Sequence, residues 1–278
     1  MSRWITEEDS GYGAIEKWDT QALLEVMHQE DKKAVEAVGA ALPQIAAFVD
    51  ALVERLQAGG RLMYVGAGTS GRLGVLDSAE CLPTFGTQQV IGLIAGGDAA
   101  LRAPVEAAED DEEAACQQLR QQGLSQKDAV FGISASGRTP YVLSAMRYAR
   151  SVGALTGAFT ANPDTPLERL VEYPIVVLTG PEVLTGSTRL KAGTATKLVL
   201  NMISTAAFAR MGRVQGGRMI DLQLVSQKLR SRALRYLQEA TSLSQEEAEA
   251  LLRETGSLRI ALQKAKDQRS VAAHSDSE

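Results

Sequence analysis

Five short apolar runs alternate along the chain with longer segments whose apolar residues recur every three or four positions. The runs lie at 62–65, 90–94, 129–133, 154–159 and 174–178. Continuous apolar runs that are joined by helical segments are typical of parallel strands covered by helices on both faces. The pattern therefore predicts an α/β fold built on a doubly wound, five-stranded parallel sheet.

A helical segment precedes the strands. Apolar residues recur at helical spacing from 33 to about 58, and Gly59-Gly60 ends the pattern. We predict one long amphipathic helix over this stretch, with helical chain beginning at about Thr20. The chain before Thr20 is polar and has no clear period.

The pattern after the last strand predicts helices. One long helix is expected from 187 to about 213, and another from 221 to 240. Residues 244–264 predict two short helices, of which the first begins with Ser244 as N-cap and Glu247 three residues on. We interpret the C-terminal helices as a small appendage to the sheet domain.

Length and composition support this organisation. A chain of 278 residues with 45% hydrophobic residues is large enough for one α/β domain and a small appendage. We expect an N-terminal segment and long helix at 1–58, the sheet domain at 59–215, and C-terminal helices at 216–278. The polar tail after Lys266 is expected to be frayed.

Charge and cysteine content exclude several classes of protein. The formal net charge of −5 disfavours nucleic acid as the main partner. The two cysteines, Cys81 and Cys116, lack metal-ligand spacing and make a disulfide framework an unfavourable explanation. No apolar stretch reaches the length of a membrane span, and the first residues lack a signal-peptide core. We therefore expect a cytoplasmic protein that acts on a small molecule and has no metal site.

The first candidate site follows the first strand, in the run Gly66-Ala-Gly-Thr-Ser-Gly-Arg72. A glycine turn at a helix N-terminus presents free backbone N–H groups and the positive end of the helix dipole, which together favour phosphate. Gly68, Thr69 and Ser70 are the candidate ligands. Dinucleotide sites share this glycine spacing, but they need an acidic residue at the end of the second strand, and Asp98 lies beyond two glycines. A purely structural tight turn remains the alternative.

The turn after the third strand is also rich in hydroxyl groups. It reads Ser134-Ala-Ser-Gly-Arg-Thr-Pro140, and its proline suits the first turn of a helix. Ordinary capping would explain one such loop, but two loops after two parallel strands can converge on one ligand. The candidate phosphate-binding residues here are Ser134, Ser136, Gly137, Arg138 and Thr139.

A third candidate segment, 180–194, follows the fifth strand and opens the long helix. Arg189 and Lys191 are candidates for contacts with a phosphate or a sugar hydroxyl. For either residue alone, a solvated helix start with ordinary caps explains the sequence equally well.

Two glutamates are candidates for acid–base chemistry. Glu80 lies between Ala79 and Cys81, a setting expected to desolvate the carboxyl group and favour its protonated form. Glu109 lies in an acidic run, and one helix over this region would place it beside an apolar stripe. A solvated helix face also explains the acidic run. The stripe consists of Leu101, Val105, Ala108, Ala115 and Leu119.

Taken together, these motifs resemble the sugar isomerase (SIS) domain family and, more narrowly, the N-acetylmuramic acid 6-phosphate etherase family. The resemblance covers about residues 20–240 and is specific, because it rests on several separate stretches. The matching stretches are 66–86, 92–97, 105–110, 135–142, 180–202 and 201–205.

The resemblance implies that the chain cleaves the D-lactyl ether of N-acetylmuramic acid 6-phosphate to N-acetylglucosamine 6-phosphate and D-lactate, in the recycling of cell-wall amino sugars. It also implies a homodimer. In that family the glutamate matching Glu80 is taken as the proton donor, and the one matching Glu109 is the second active-site acid. No cofactor is expected, because two glutamates in different protonation states can act as acid and base. One departure is that Ser78-Ala79 stands where the family commonly has Ala-Ser.

Two other functions remain open. A phosphosugar isomerase of the SIS type would need a ring-opening base, and neither His28 nor His274 lies near the glycine loops in the sequence. A non-catalytic sugar-phosphate sensor would tolerate the loss of either glutamate, and both are present here.

The spacing between the first loop and Glu80 bears on where that residue acts. An unbroken helix from Ser70 to Glu80 rises roughly 15 Å, which is longer than a hexose phosphate. Unless this helix ends early or bends, Glu80 is expected to act across a dimer interface on the substrate of the partner subunit.

Overall fold

The computed structural model describes residues 4–275, with side chains described as far as residue 268. The first three and last three residues, which the predicted N-terminal segment and tail include, lie outside the described residues. The strands are β1 (Leu62–Gly66), β2 (Val90–Ile94), β3 (Ala129–Ile133), β4 (Leu155–Thr160), β5 (Tyr173–Val176) and a short antiparallel pair, β6 (Val214–Gln215) and β7 (Arg218–Met219).

Helices precede, separate and follow the strands. Those of the sheet region are α1 (Thr20–Ala40), α2 (Leu42–Gln57), α3 (Gly68–Phe85), α4 (Ala99–Arg102), α5 (Glu112–Gln121), α6 (Pro140–Val152), α7 (Pro166–Leu170) and α8 (Lys191–Arg210). The C-terminal ones are α9 (Gln227–Thr241), α10 (Gln245–Thr255) and α11 (Leu258–Ser275). Short 3-10 turns lie at Ile5–Glu7, Ile15–Lys17 and Ala108–Asp110.

The five longer strands form one parallel sheet in the order β2-β1-β3-β4-β5. The predicted five-stranded parallel sheet is confirmed, and each predicted run overlaps its strand closely. Because β1 has β2 on one side and β3 on the other, the order of the strands reverses at the carboxyl ends of β1 and β3. Ligands bind at this position in folds of the doubly wound type.

The sheet is buried on both faces, which explains the continuous apolar runs. Every residue of β1, β3 and β4 is buried. On one face, Phe48 of α2 packs against Phe131 with ring centroids 4.9 Å apart. A Cβ at Gly157 of β4 would lie 2.5 Å from the Phe48 ring, so glycine lets the helix approach the sheet. On the other face, α6 contributes Tyr141 and Met146 to the core.

The single helix predicted over 33–58 is wrong. The chain forms α1 and α2 instead, which are bent by 56° at their junction. Pro43 lies in the first turn of α2 and cannot donate the backbone hydrogen bond that a continuous helix would need. Within the described residues, no single helix has the length and apolar content to cross a membrane, and α1 with α2 meets these criteria only as a bent pair.

The single helix expected beneath the apolar stripe at 101–119 is also wrong. Ala103 is extended (φ −139°, ψ 153°) before Pro104, and this ends α4. Ala107 has left-handed backbone with a φ of 54°, and α5 begins only afterwards. Because the residue before a proline is forced out of the helical region, Pro104 leaves a loop between the two helices.

The C-terminal segments predicted as helices are helical, but the helices begin and end at other residues than predicted. The capping box of Ser244 and Glu247 is present at the start of α10. Both α8 and α9 begin a few residues later than expected. The chain after Lys266, expected to be frayed, continues α11 as far as Ser275.

The chain divides into two compact units. The first runs to Ala79 and resumes over 89–207, and it contains the parallel sheet. The second comprises 80–88 and the chain from Phe208 onward, and α9, α10 and α11 supply most of its own apolar core. The helix α3 therefore begins in one unit and ends in the other.

Candidate active site

The first glycine loop joins β1 to α3 at the carboxyl edge of the sheet. Gly68 has a positive φ of 53° and opens the helix. The first N–H groups of an α-helix have no intrahelical acceptor, so the amides of Gly68, Thr69 and Ser70 are placed to bind an anion. A Cβ at Gly71 would lie 2.6 Å from the carbonyl oxygen of Gly66. The absence of a side chain at Gly71 therefore lets the helix start directly against the strand.

The second loop follows β3 and is organised by hydrogen bonds among its own hydroxyl groups. Ser134 is buried, and its Oγ lies 3.3 Å from Ser136 Oγ and 2.9 Å from Thr139 Oγ1. It also accepts a hydrogen bond from the amide of Gly137 at 3.1 Å. Ser136 accepts one from the amide of Arg138 at 3.3 Å. Ser134 thus supports the loop from inside, whereas Ser136 and Thr139 are partly exposed.

The sheet places the predicted loops side by side. β1 and β3 are paired in parallel with Gly66 opposite Ile133, so the first and second loops leave adjacent strands at one edge. The start of α8 lies at the same edge, because a Cβ at Gly193 would be 3.7 Å from Thr69 Cγ2. The three candidate segments therefore meet in the first unit.

Lys191, a candidate phosphate ligand, is engaged elsewhere in this structure. Its side chain is 3% exposed, and its ammonium group forms a hydrogen-bonded ion pair with the buried carboxylate of Glu30 on α1. Lys33 and Tyr12 also donate to Glu30, each at 2.5 Å. The cation of Lys191 is thus held inside the fold in this structure, and a direct contact with the phosphate stays a prediction. The Arg189 side chain is exposed.

Glu30 is a residue that sequence analysis missed. Burial raises the pKa of its carboxyl group, but hydrogen bonds from Lys191, Lys33 and Tyr12 outweigh burial and lower the pKa to about 2. The hydrogen bond to Glu30 raises the pKa of Lys33 in turn. One feature of the sequence points to this residue. Glu30 lies one turn before Ala34 on the face of α1 that is buried, and a buried carboxylate needs a partner.

Glu182 was also missed, and it fixes the start of α8. Its carboxylate is fully buried and accepts hydrogen bonds from the amides of Lys191 at 2.9 Å and Ala192 at 3.0 Å. Burial raises the pKa of Glu182, and these two backbone hydrogen bonds oppose the rise. An acidic group at a helix N-terminus is favoured by the dipole, so the segment before α8 is held firmly.

The N-terminal segment lies against the second loop. The amide of Thr6 donates to Asn162 Oδ1 at 3.2 Å, and Asn162 Nδ2 donates to Thr6 Oγ1 at 2.9 Å. Asn162 also donates to the carbonyl of Ala135 at 2.9 Å. The guanidinium of Arg138 lies 4.5 Å from the ring centroid of Trp4, within the range of a cation–π contact. These contacts hold both the backbone and the arginine of the second loop.

Glu80 lies in the second half of α3, which is continuous over Gly68–Phe85. The helix does not end between Ser70 and Glu80, so the rise of roughly 15 Å between them stands. The Glu80 side chain is exposed. The desolvation expected from its neighbours is therefore not found within one chain, because Ala79 is exposed as well and only Cys81 is buried.

Glu109 lies in the 3-10 turn Ala108–Asp110, in the loop between α4 and α5. Its side chain is exposed and is carried by irregular chain, not by the face of a regular helix. Glu109 belongs to the first compact unit and Glu80 to the second.

Comparison with known proteins decides the family. A protein from Christiangramia forsetii named N-acetylmuramic acid 6-phosphate etherase is 50% identical to this chain over 95% of the chain and 97% of its own length. A Porphyromonas gingivalis protein of the same name is 51% identical over 94% of this chain and 96% of its own length. The chain belongs to this family. A member from Caldanaerobacter subterraneus is 50% identical over 87% of the chain and 79% of its own length.

Family models and solved structures agree with this fold. The model for the glucokinase regulatory protein N-terminal SIS domain matches residues 44–150, and the SIS domain model matches 103–206. The structure of a phosphoheptose isomerase from Francisella tularensis has a TM-score of 0.52 at 18% identity, over 68% of this chain and 97% of that one. Phosphoheptose isomerase from Neisseria gonorrhoeae has a TM-score of 0.54 at 17% identity, over 69% and 100%. At such identities the likeness concerns the fold alone.

Proposed function

We propose that the protein is a carbon–oxygen lyase that cleaves the D-lactyl ether of N-acetylmuramic acid 6-phosphate. The products are N-acetylglucosamine 6-phosphate and D-lactate, and the reaction takes place in the cytoplasm during recycling of cell-wall amino sugars. The observation that carries this proposal is about 50% identity, over nearly the whole chain, to proteins of that name. The adjacent hydroxyl-rich loops support it, because they offer a site for the phosphate.

The 6-phosphate binds first and sets the register of the sugar. The amides and hydroxyls at the start of α3 receive the phosphate together with the hydroxyls of Ser136 and Thr139. Arg138 and the exposed Arg189 neutralise its charge. Lys191 acts indirectly in this scheme, since its pair with Glu30 holds the start of α8.

Elimination begins once the sugar ring is open. The aldehyde at C1 makes the C2 proton acidic, and the carboxylate of Glu109 removes it. The electron pair of the C2–H bond first delocalises into the C1 aldehyde as an enolate, and it then forms a C2–C3 double bond as the C3–O bond breaks. The carboxylic acid of Glu80 protonates the departing oxygen, so that D-lactate leaves as a neutral hydroxyl compound at that atom.

Water then adds to the unsaturated aldehyde. Glu80, now a carboxylate, takes a proton from the water whose oxygen attacks C3, and Glu109 returns its proton to C2. Both glutamates are thereby restored. The two carboxyl groups in opposite protonation states supply the acid and the base that the reaction needs.

Glu80 serves the substrate of the partner subunit in a homodimer. Its separation of roughly 15 Å from Ser70 along α3 is longer than the bound sugar phosphate. Its exposure in the single chain fits a group that becomes covered on assembly. In this arrangement the phosphate loops and Glu80 of one chain belong to two different active sites.

A non-catalytic sugar-phosphate sensor is the second candidate. The match to the glucokinase regulatory protein N-terminal SIS domain favours it, whereas the presence of both glutamates favours the enzyme. A SIS-type isomerase has less support, because His28 lies exposed on α1 and outside the candidate loops.

Incubation with N-acetylmuramic acid 6-phosphate tests the proposal. D-lactate measured with D-lactate dehydrogenase is the expected product. In H₂¹⁸O the label enters C3 of the amino sugar and not the lactate, and in D₂O deuterium enters C2. Binding without turnover would support the sensor, and an isomerised sugar phosphate without lactate would support the isomerase.

A further inference from the structure

The last turns of α3 belong to the second compact unit, which we call the C-terminal unit. Residues 80–88 belong to that unit together with the chain from Phe208 onward. The ring of Phe85 packs on that of Phe208 with centroids 5.0 Å apart, and both side chains are buried. The last turn of the helix that carries Glu80 is therefore packed against the end of α8.

A charged cluster holds the end of the same helix. Arg213 Nη1 donates to the carbonyl of Phe85 at 2.9 Å and lies 3.4 Å from Asp221 Oδ2. Asp221 accepts two more hydrogen bonds from Arg259 of α11, at 2.5 and 2.6 Å. Arg259 also donates to the carbonyl of Gly212 at 2.7 Å. The carboxylate of Asp221 thus links two guanidinium groups, one of which holds a terminal carbonyl of α3.

Gly86 brings the end of α3 into direct contact with the same cluster. Its amide closes the last turn on the carbonyl of Leu82 at 3.0 Å. Its φ is +62°, and a Cβ there would lie 2.4 Å from the carbonyl oxygen of Asp221. The end of the helix therefore has little freedom to move relative to the segment around Asp221.

We propose that the C-terminal unit is a positioning module for Glu80, with Arg213 and Phe208 as its positioning residues. The inference rests on the proposed function, in which Glu80 is the proton donor. Glu80 precedes Phe85 by about one and a half helical turns, so a displaced helix end carries the carboxyl group with it. Displacement by about 1 Å can cost a reaction roughly a hundredfold.

The division of the chain into two compact units predicts which kinetic constant changes when the Arg213 cluster is loosened. The phosphate loops belong to the first unit, whereas the Arg213 cluster belongs to the second. Loosening the cluster therefore weakens proton donation to the leaving oxygen and leaves phosphate binding and C2 proton removal intact. A purely structural role would lower all three together.

The test compares Arg213→Met, Arg213→Lys and Phe208→Leu with the wild-type protein. Arg213→Met keeps the aliphatic stem and removes the donor to Phe85, and its kcat for lactate release falls roughly tenfold to a hundredfold. Deuterium exchange at C2, KM and the dissociation constant for inorganic phosphate stay at wild-type values. Arg213→Lys recovers part of kcat. Phe208→Leu removes a different contact and also lowers kcat, while C2 exchange, KM and the dissociation constant for phosphate stay at wild-type values.

The matched control is Arg218→Met in the same unit. Arg218 is 44% exposed, pairs with Glu239 and stacks on Tyr236, so its replacement leaves kcat unchanged. Hydrogen exchange of 80–88 rises in Arg213→Met and not in the control.

Three results overturn the inference, and they distinguish a failed positioning role from a failed proposed function. An unchanged kcat in folded Arg213→Met and Phe208→Leu, or an equal loss of kcat and phosphate affinity, removes the positioning role and leaves the proposed function standing. Absence of lactate release by the wild-type protein removes the proposed function, and the positioning role with it.

Discussion

Glu80 and Glu109 are both exposed in the single chain, although the proposed reaction needs one of them protonated and the other ionised. Two carboxyl groups take opposite protonation states only in different surroundings. We infer that the bound sugar phosphate and the partner subunit create that difference, since the elements that carry the two residues leave both side chains open to water.

Glu80→Gln separates the two steps of the reaction. The amide keeps the shape of the side chain but cannot donate the proton, so lactate release falls by about 10²-fold or more. Deuterium exchange at C2 continues in D₂O, because Glu109 is unchanged, and nuclear magnetic resonance of the sugar measures it. Glu109→Gln is the matched variant and loses both exchange and release. Loss of exchange in Glu80→Gln would reverse the assignment of acid and base.

Glu30→Gln tests the buried pair with Lys191. The pKa of Glu30 is lowered to about 2 from an ordinary value of 4.5, so its charge stabilises the fold above that ordinary value and this contribution is lost as the pH falls towards 2. At pH 7 we expect a loss of about 3 kcal/mol in the free energy of unfolding, because the variant leaves Lys191 buried without its charged partner.

The deficit of Glu30→Gln relative to the wild-type protein should shrink below pH 4.5. Urea unfolding at several pH values measures it, and Glu25→Gln on the exposed face of the same helix is the control. A deficit that stays constant down to pH 3 would show that the charge of Glu30 is not what stabilises this cluster.

At the scale of elements, α3 has two separate uses. Its N-terminus lies at the point where the order of the strands reverses, and in the proposed reaction it offers amides to the phosphate. Its C-terminal turns lie in another compact unit and carry Glu80. In the proposed reaction, the run of glycines at the start of the helix therefore serves phosphate binding, and the closing turns serve proton transfer.

Gly71→Ala tests the fit between α3 and β1. The added Cβ would lie 2.6 Å from the carbonyl oxygen of Gly66, so the helix start has to move, at a cost of about 1–3 kcal/mol in stability. The affinity for inorganic phosphate, measured by calorimetry, falls at the same time. Gly39→Ala is the control, since a Cβ there meets nothing within 4 Å and stabilises a helix by about 0.5–1 kcal/mol. Normal phosphate binding by Gly71→Ala would remove the phosphate from this loop.

At the scale of the whole molecule, the proposed homodimer would decide which residues share an active site. The length of α3 up to Glu80 exceeds the substrate, and a two-fold dimer would bring the Glu80 of each subunit to the loops of the other. The oligomer is then part of the catalytic machinery, because a monomer would hold two incomplete sites.

Mixed dimers test this arrangement. Glu80→Gln and Glu109→Gln are inactive separately, but their equimolar mixture after subunit exchange should regain about a quarter of wild-type lactate release, since half of the dimers are mixed and each has one intact site. Each variant mixed with itself is the control. If the mixture stays inactive while labelled subunits demonstrably exchange, Glu80 and Glu109 of the same chain act together.

The strands and the two hydroxyl-rich loops could be predicted because their signals are local. An apolar run, a glycine turn and a capping box each depend on residues within a few positions of one another. The errors have local causes too: Pro43 and Pro104 break two helices whose apolar periodicity continues across the break. The pairing of Lys191 with Glu30 was out of reach, because the partners are distant in the chain and meet only when α1 packs against α8.

The sequence by itself determined the element types and the family, and it predicts the phosphate-binding chemistry of the loops. These depend on residue identity and short spacing, and they survive errors in where an element begins or ends. Only the tertiary structure decided the strand order that brings the loops to one edge, the burial of Lys191 and the assignment of the Glu80 segment to the C-terminal unit. Each of these is a contact between distant segments, and such contacts are selected by the packing of the whole chain rather than by any local pattern.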